Sequence, residues 1–260
     1  MPLHTERITA RSGIEGDVLT GGDGPPLVYL HGAGGTSADD PLLNELAARF
    51  RVHAPIWPGY GTDQTETRIE TMLDFTLHGW DVVDALDLPT KPVLVGHSMG
   101  GMIAAEMAAT APHDLNSLVL LAPAGLWDDA LPVPDIFAML PFEMAEVLFH
   151  DPAVGEKILT AGRDFSDDAA LGNFMVNRAR QLGTAGKILF PIPNRGVARR
   201  LYRVSVPTRI VWGESDRLYP VAYALHWLDA IDGAELATVA EAGHMLPVEQ
   251  PKAVASHISV

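Results

Sequence analysis

The 260-residue chain contains no cysteine. That absence excludes a disulfide framework, a cysteine nucleophile and zinc–thiolate sites. Basic residues are scarce: 18 Lys and Arg stand against 33 Asp and Glu, a formal net charge of −15. Such a balance argues against nucleic acid and against anionic membrane surfaces as partners. A neutral or apolar small molecule fits it better. No run of about eighteen apolar residues occurs, so no membrane span is expected. The opening residues Met1-Pro2-Leu3-His4-Thr5-Glu6-Arg7 lack an apolar core of signal-peptide length, and a cytoplasmic location is the expectation. Repeats and low-complexity tracts are also missing. What is present is a 47% apolar composition, sufficient for one sizeable α/β domain with an insertion.

Apolar runs and helical patterns alternate along the chain. Residues 7–20 read as two short strands around Gly13 and Gly16. Leu27–Leu30, Arg51–Ala54, Val93–Val95, Ser117–Ala122, Thr208–Trp212 and Glu235–Val239 read as further strands. Helices are expected after Asp40-Pro41, where aspartate caps and proline opens the first turn. Another carries Ile69, Met72, Leu73, Trp80 and Val83 on one side, and one from Pro220 to Ile231 carries Val221, Ala224, Leu225, Leu228 and Ile231. A final helix starts near Pro247. This alternation belongs to a parallel sheet covered by helices. Residues 124–204 break the rhythm: no sheet strand is apparent, and helices are expected at Pro141–His150, Pro152–Ala161, Asp167–Leu182 and Asn194–Tyr202.

The strand Val93-Leu94-Val95 leads into Gly96-His97-Ser98-Met99-Gly100-Gly101, and a helix-like run follows from Met102. Strand, Gly-x-Ser-x-Gly, helix is a context in which the serine sits on a tight turn with its hydroxyl pushed out of the sheet. The helix behind it points free N–H groups at the same place. A serine hydroxyl needs a base to become a nucleophile, and the base needs an acid to orient it. His244, in Ala242-Gly243-His244, follows the last strand and returns to the edge of the sheet where Ser98 lies. Asp216, in Gly213-Glu214-Ser215-Asp216, follows the preceding strand; Asp128 and Asp129 are the alternative acids. Two backbone amides complete the set, those of Met99 and of Ala33 in His31-Gly32-Ala33-Gly34-Gly35. His31 reads as a brace for that loop.

With Leu30-His31-Gly32, Pro58-Gly59-Tyr60-Gly61, the serine hexapeptide, Gly213-Glu214-Ser215-Asp216 and Gly243-His244 in this order, the chain resembles a capped, carboxylesterase-like member of the α/β-hydrolase fold superfamily. The resemblance implies an eight-stranded, mostly parallel sheet, with residues 1–123 and 205–260 as the core and 124–204 as a helical cap inserted after strand 6. It implies no cofactor and no metal. Dehalogenases and epoxide hydrolases of this fold carry aspartate where Ser98 stands. Proline iminopeptidases usually have Gly-Gly-Ser-Trp-Gly at this turn, and cofactor-free haloperoxidases share its Ser-Met-Gly-Gly. Hydrolases of C–C bonds in aromatic ring-fission products often place asparagine before the serine and tryptophan after the histidine, where this chain has His97 and Met245.

The insertion holds Trp127, Phe137, Met139, Leu140, Phe142, Met144, Leu148, Phe149, Met175 and Phe190. Most are expected to tie the cap to the sheet. Trp127, Phe137, Met139, Phe142 and Met175, with Gly34, are the candidates for an apolar pocket over Ser98. Arg178, Arg180, Arg199 and Arg200 are expected mainly in ion pairs, although one of them could meet a substrate carboxylate. The expected activity is serine hydrolysis of carboxylic esters with short to medium acyl or aryl groups. C–C bond hydrolysis with the same three residues is the alternative. A ligand-binding or receptor-like protein with little turnover is the second.

Overall fold

The apolar runs at 27–30, 93–95 and 117–122 become adjacent strands in the middle of one sheet, where side chains on both faces are buried. The computed structural model describes residues 2–61, 65–160, 168–192 and 195–259, without the side chains at 141, 142, 168 and 170. Its strands are β1 (His4–Thr9), β2 (Glu15–Gly21), β3 (Pro26–Leu30), β4 (Arg51–Pro55), β5 (Val93–His97), β6 (Ser117–Leu121), β7 (Thr208–Gly213) and β8 (Glu235–Val239). They form one eight-stranded sheet in the order β1-β2-β4-β3-β5-β6-β7-β8. Only β1–β2 and β2–β4 pair antiparallel; all other neighbours are parallel. The fold is that of an α/β-hydrolase.

The helices are α1 (Pro41–Leu46), α2 (Met72–Ala85), α3 (Met99–Thr110), α4 (Pro141–Leu148), α5 (Pro152–Leu159), α6 (Asp168–Leu189), α7 (Ala222–Ala230), α8 (Leu246–Glu249) and α9 (Pro251–Ser256). At the start of α1 the Asp40 carboxylate accepts the Leu42 and Leu43 N–H groups, and Pro41 fills the position that needs no N–H. Helix α3 is buried on all sides from Met99 to Ala109. Its small residues let it approach the sheet closely: a Cβ on Gly100 would stand 2.0 Å from the Leu30 carbonyl oxygen.

Two helices keep most of the expected face against the core, with Ile69, Ala224 and Ile231 buried and Met72, Trp80, Val83 and Leu228 packed on it, but each turns a leucine of that face to solvent. In α2, Leu73 is 60% exposed, while Phe75, His78, Gly79 and Val82 face inward. A Cβ on Gly79 would come within 2.5 Å of Met107 Sδ, so the close approach of α2 to α3 sets the buried face. In α7, Tyr223, Ala224 and Trp227 are buried and Leu225 is 54% exposed. Two large aromatic rings remove more surface from water than the leucines they displace.

Between β6 and β7 the chain carries α4, α5 and α6. Helix α6 runs on to Leu189, past the expected end at Leu182. The expected helix at 194–202 is instead two single 3₁₀ turns, Val197–Arg199 and Leu201–Arg203; Asn194 lies outside the described residues. Tertiary contacts override the helical pattern there. Val197 and Leu201 are buried, Arg200 forms a two-pronged ion pair with Glu106 of α3, and Arg203 Nε donates to the Ala109 carbonyl. Arg180–Glu66 and Lys187–Glu70 pairs tie α6 to the segment before α2.

Parallel pairing brings the carboxyl ends of β3, β5, β7 and β8 to one edge of the sheet. Ser98 follows β5, Asp216 follows β7, His244 follows β8, and the 31–35 loop follows β3.

Candidate active site

Ser98 occupies φ +53°, ψ −116°, a conformation L residues rarely adopt. Such strain costs of order 1–3 kcal/mol and persists only where its surroundings enforce it. Here the Ser98 N–H donates to the Leu121 carbonyl at 2.9 Å, and the Ser98 carbonyl accepts from Met102 N and Ala124 N at 3.0 Å each. The neighbouring glycines leave room for the turn: a Cβ on Gly96 would meet the Gly100 carbonyl oxygen at 2.4 Å.

His244 Nε2 lies 2.8 Å from Ser98 Oγ, and His244 Nδ1 lies 2.9 Å from Asp216 Oδ2. A carboxylate only accepts, so Nδ1 carries the proton and Nε2 is left to accept from the serine hydroxyl. Asp216 Oδ1 accepts the Leu218 and Tyr219 N–H groups at 2.9 and 2.8 Å, which fixes the carboxylate. Ser98, Asp216 and His244 are all buried. The alternative acids lie elsewhere: Asp128 faces His226 and Asp129 accepts from Trp127 Nε1.

His97 adds a contact that the sequence pattern does not disclose. Burial, and then His244, push its imidazole down to about 3, so it is neutral. Its Nε2–H donates to the His244 main-chain carbonyl at 2.8 Å. His31 is neutral for a similar reason, burial lowering it to about 4. Its Nδ1–H donates to the Gly32 carbonyl and its Nε2 accepts the Trp57 N–H, so it braces the loop after β3 against the loop after β4.

The Met99 N–H belongs to the first turn of α3, where amides lack an intrahelical acceptor. Neither it nor the Ala33 N–H has a backbone or side-chain acceptor among the described residues. The Tyr60 hydroxyl donates to the Ala33 carbonyl at 3.2 Å and lies 4.0 Å from Met99 Sδ, touching both residues from behind.

A cavity of about 70 Å³ opens beside Ser98 and His244, walled by Ala33, Gly34, Ile136, Met144, Leu148, Leu159, Arg178, Leu182, Leu218 and Met245. A smaller one of about 20 Å³, lined by Phe137, also borders Ser98 and shares Ile136 and Leu218 with the first. Gly34 and Phe137 therefore stand where expected. Three of the candidates do not. Trp127 turns to Asp129 and borders a separate surface hollow with His226. Met139 packs against the core without reaching either cavity. Met175 is 55% exposed, one turn before α6 reaches the cavity at Arg178 and Leu182. The Phe142 side chain lies outside the described residues. The apolar walls that sequence reasoning did not nominate, Ile136, Met144, Leu148, Leu159, Leu182, Leu218 and Met245, are ordinary apolar residues. Only Met245 carried a local signal, its position next to His244.

Of the arginines, Arg180 and Arg200 form the ion pairs expected of them. Arg178 has no carboxylate partner among the described residues. Its Nη2 rests 2.9 Å from Met144 Sδ, and burial lowers its affinity for the proton. Among the described residues no cluster of metal-ligating side chains occurs. Nor is any helix there long and apolar enough to cross a membrane.

Residues 27–257 match the model of the Alpha/beta hydrolase family. The chain is similar to a 2-hydroxy-6-oxo-6-(2'-aminophenyl)hexa-2,4-dienoic acid hydrolase of Metapseudomonas resinovorans, at 25% identity over 96% of this chain and 88% of the relative. It is also similar to a pimeloyl-[acyl-carrier protein] methyl ester esterase of Aromatoleum aromaticum, at 28% identity over 88% of this chain and 94% of the relative. Among solved structures, a serine hydrolase involved in carbazole degradation superposes with a TM-score of 0.76 at 25% identity, covering 98% of this chain and 96% of that one.

Proposed function

Because this chain belongs to the alpha/beta hydrolase family, we propose that it is a serine hydrolase cleaving carboxylic esters through an acyl-enzyme. The observation that carries the reading is the unbroken relay of 2.8 and 2.9 Å from Ser98 Oγ through His244 to Asp216. Ser98 Oγ attacks the ester carbonyl as its proton passes to His244 Nε2. Asp216 holds the tautomer and stabilises the imidazolium. The Met99 and Ala33 amides receive the oxyanion, an effect worth about 3–4 kcal/mol per donor. The alcohol leaves with the proton from His244. Water then gives a proton to His244 as it attacks the acyl carbon; the Ser98 Oγ–acyl bond breaks, His244 returns the proton to Oγ, and the acid is released. No step calls for a metal or cofactor.

The cavity volume bears on the acyl group. At about 70 Å³ it is half the ~150 Å³ of a cavity that takes benzene. A short acyl chain fits without rearrangement, whereas a medium chain or an aryl group requires the wall at Met144 and Leu148 to yield. Those residues lie in the 124–204 insertion, which we assign as the cap. The resemblance to a methyl ester esterase supports an ester substrate. Replacing Ser98 with alanine should abolish turnover of an activated ester and leave the circular dichroism spectrum unchanged; a fully active variant overturns the assignment.

Arg178 favours a second reading. A partly buried guanidinium without a carboxylate partner among the described residues, in the wall of the Ser98 cavity, suits a substrate that brings its own carboxylate. C–C bond hydrolysis of a ring-fission dienoate would use it, and a relative is named for that chemistry. Assays of an aryl ester and a dienoate side by side separate the readings. Arg178→Gln should depress dienoate turnover far more than that of a neutral ester.

A further inference from the structure

One short segment at the end of α4, residues 146–150, touches both flanks of both residues behind Ser98. On the His244 side, the Met245 N–H donates to the Leu148 carbonyl at 3.0 Å. The Gly243 N–H donates to Glu249 Oε2 at 2.7 Å, and Glu249 Oε1 accepts the His150 N–H at 2.6 Å. On the Asp216 side, Ser215 Oγ and His150 Nδ1 lie 2.8 Å apart, and Arg217 Nη1 donates to the Glu146 and Phe149 carbonyls at 2.7 and 2.9 Å. The approach is close: a Cβ on Gly243 would stand 2.7 Å from the Leu148 carbonyl oxygen. The Leu148 side chain meanwhile forms the wall of the cavity beside Ser98.

We propose that Glu249 is a positioning residue that couples the substrate-facing wall at Leu148 to the orientation of His244. The inference rests on the serine-hydrolase reading. Glu249 closes α8, and neither of its oxygens touches Ser98, Asp216 or the His244 ring. Its carboxylate is suited to the task because two N–H groups from different elements converge on it, and a carboxylate accepts at both oxygens with no donor to misplace. A glutamine can accept at only one of them. An acyl chain that presses on Leu148 therefore acts on the backbone at 148–150, and through Glu249 and Met245 on the loop that carries His244.

The test uses the full-length enzyme with Glu249→Gln, Leu148→Ala and the double variant, each assayed on p-nitrophenyl acetate and butyrate. In Glu249→Gln, kcat should fall about tenfold on both esters with KM for acetate within about twofold, the pattern of a lost orientation and not of lost binding. The ratio of kcat for butyrate to kcat for acetate should move to that of Leu148→Ala. The double variant should be no worse than the poorer single one, because both act through one connection. If Glu249→Gln fails to fold, Glu249→Asp, whose carboxylate is drawn back by one methylene from the Gly243 and His150 N–H groups, should likewise lower kcat and change the ratio. Unchanged kcat, or effects of Glu249→Gln and Leu148→Ala that simply multiply, would overturn the coupling. Wild-type protein without Ser98-dependent turnover, or without labelling of Ser98 by a fluorophosphonate, overturns the hydrolase reading and the coupling with it.

Discussion

His97 Nε2–H donates to the main-chain carbonyl of His244 at 2.8 Å, so the residue before the serine holds the residue that faces its hydroxyl. The two rings lie 5.2 Å apart, and both are buried. Three consecutive residues of the turn thus serve three ends. His97 supports the His244 loop, Ser98 presents its hydroxyl, and Met99 directs an amide.

That support is testable by removing the donor. In His97→Leu a buried carbonyl loses its partner, a cost of about 1–3 kcal/mol. Thermal stability should fall, and kcat with an activated ester should drop about tenfold as the His244 loop loosens. His97→Gln, whose amide still donates, should recover most of both. A leucine variant with wild-type kcat would remove His97 from the account.

Asp216 holds His244 through Oδ2 and the backbone through Oδ1. Asp216→Asn keeps an acceptor for the Leu218 and Tyr219 amides but presents a donor, or the wrong charge, to His244 Nδ1. The expected result is a kcat lower by about 10⁴ with a melting temperature close to that of the parent. Rate and melting curve measured on one preparation decide it.

Two glycines should behave in opposite ways. A Cβ on Gly100 would stand 2.0 Å from the Leu30 carbonyl oxygen and 2.6 Å from that of His31, both backbone atoms that cannot swing aside. Gly100→Ala should destabilise by about 3 kcal/mol or more, since overpacking against backbone forces the helix away from the sheet. A Cβ on Gly34 meets nothing within 4 Å, and Gly34→Ala should leave stability unchanged. Urea melts of the two variants make the comparison.

Acid should unfold this protein through its buried histidines. Burial lowers His31 from its ordinary value of 6.5 to about 4. Above pH 6.5 the imidazole is neutral in both states and stability does not depend on it. As pH falls from 6.5 towards 4, the unfolded chain takes up a proton that the folded one refuses, so stability is lost across that window, by about 3 kcal/mol at its lower end. His97 extends the loss towards its own value of about 3. Unfolding free energies of the parent and of His31→Asn, measured from pH 7 to 4, should fall less steeply in the variant.

The strand-and-turn skeleton was readable because its signals are local. A buried β-branched run followed by glycines around a serine defines a turn whatever lies elsewhere, and Ser98, Asp216 and His244 each stand just beyond a strand. Helix faces were harder to read: Leu73 and Leu225 fit their apolar stripes yet point to solvent. Their positions depend on a close approach at Gly79 and on the bulk of Tyr223 and Trp227, which are properties of pairs of elements. The cavity was harder still. Trp127, Met139 and Met175 are large and apolar like Leu148 and Leu182, and nothing in their neighbours separates those that reach Ser98 from those that do not.

By itself the sequence determined the alternation of strands and helices, the order serine–aspartate–histidine, and the side of the sheet on which these residues emerge, because chain direction and strand ends are encoded within a few residues. The tertiary structure alone decided which insertion residues wall the cavity, that Arg178 stands there without a carboxylate partner among the described residues, and that residues 146–150 clasp the loops of Asp216 and His244. Those contacts join residues up to about a hundred positions apart. Their existence depends on how α4 and α6 are set against the sheet, which no local pattern specifies.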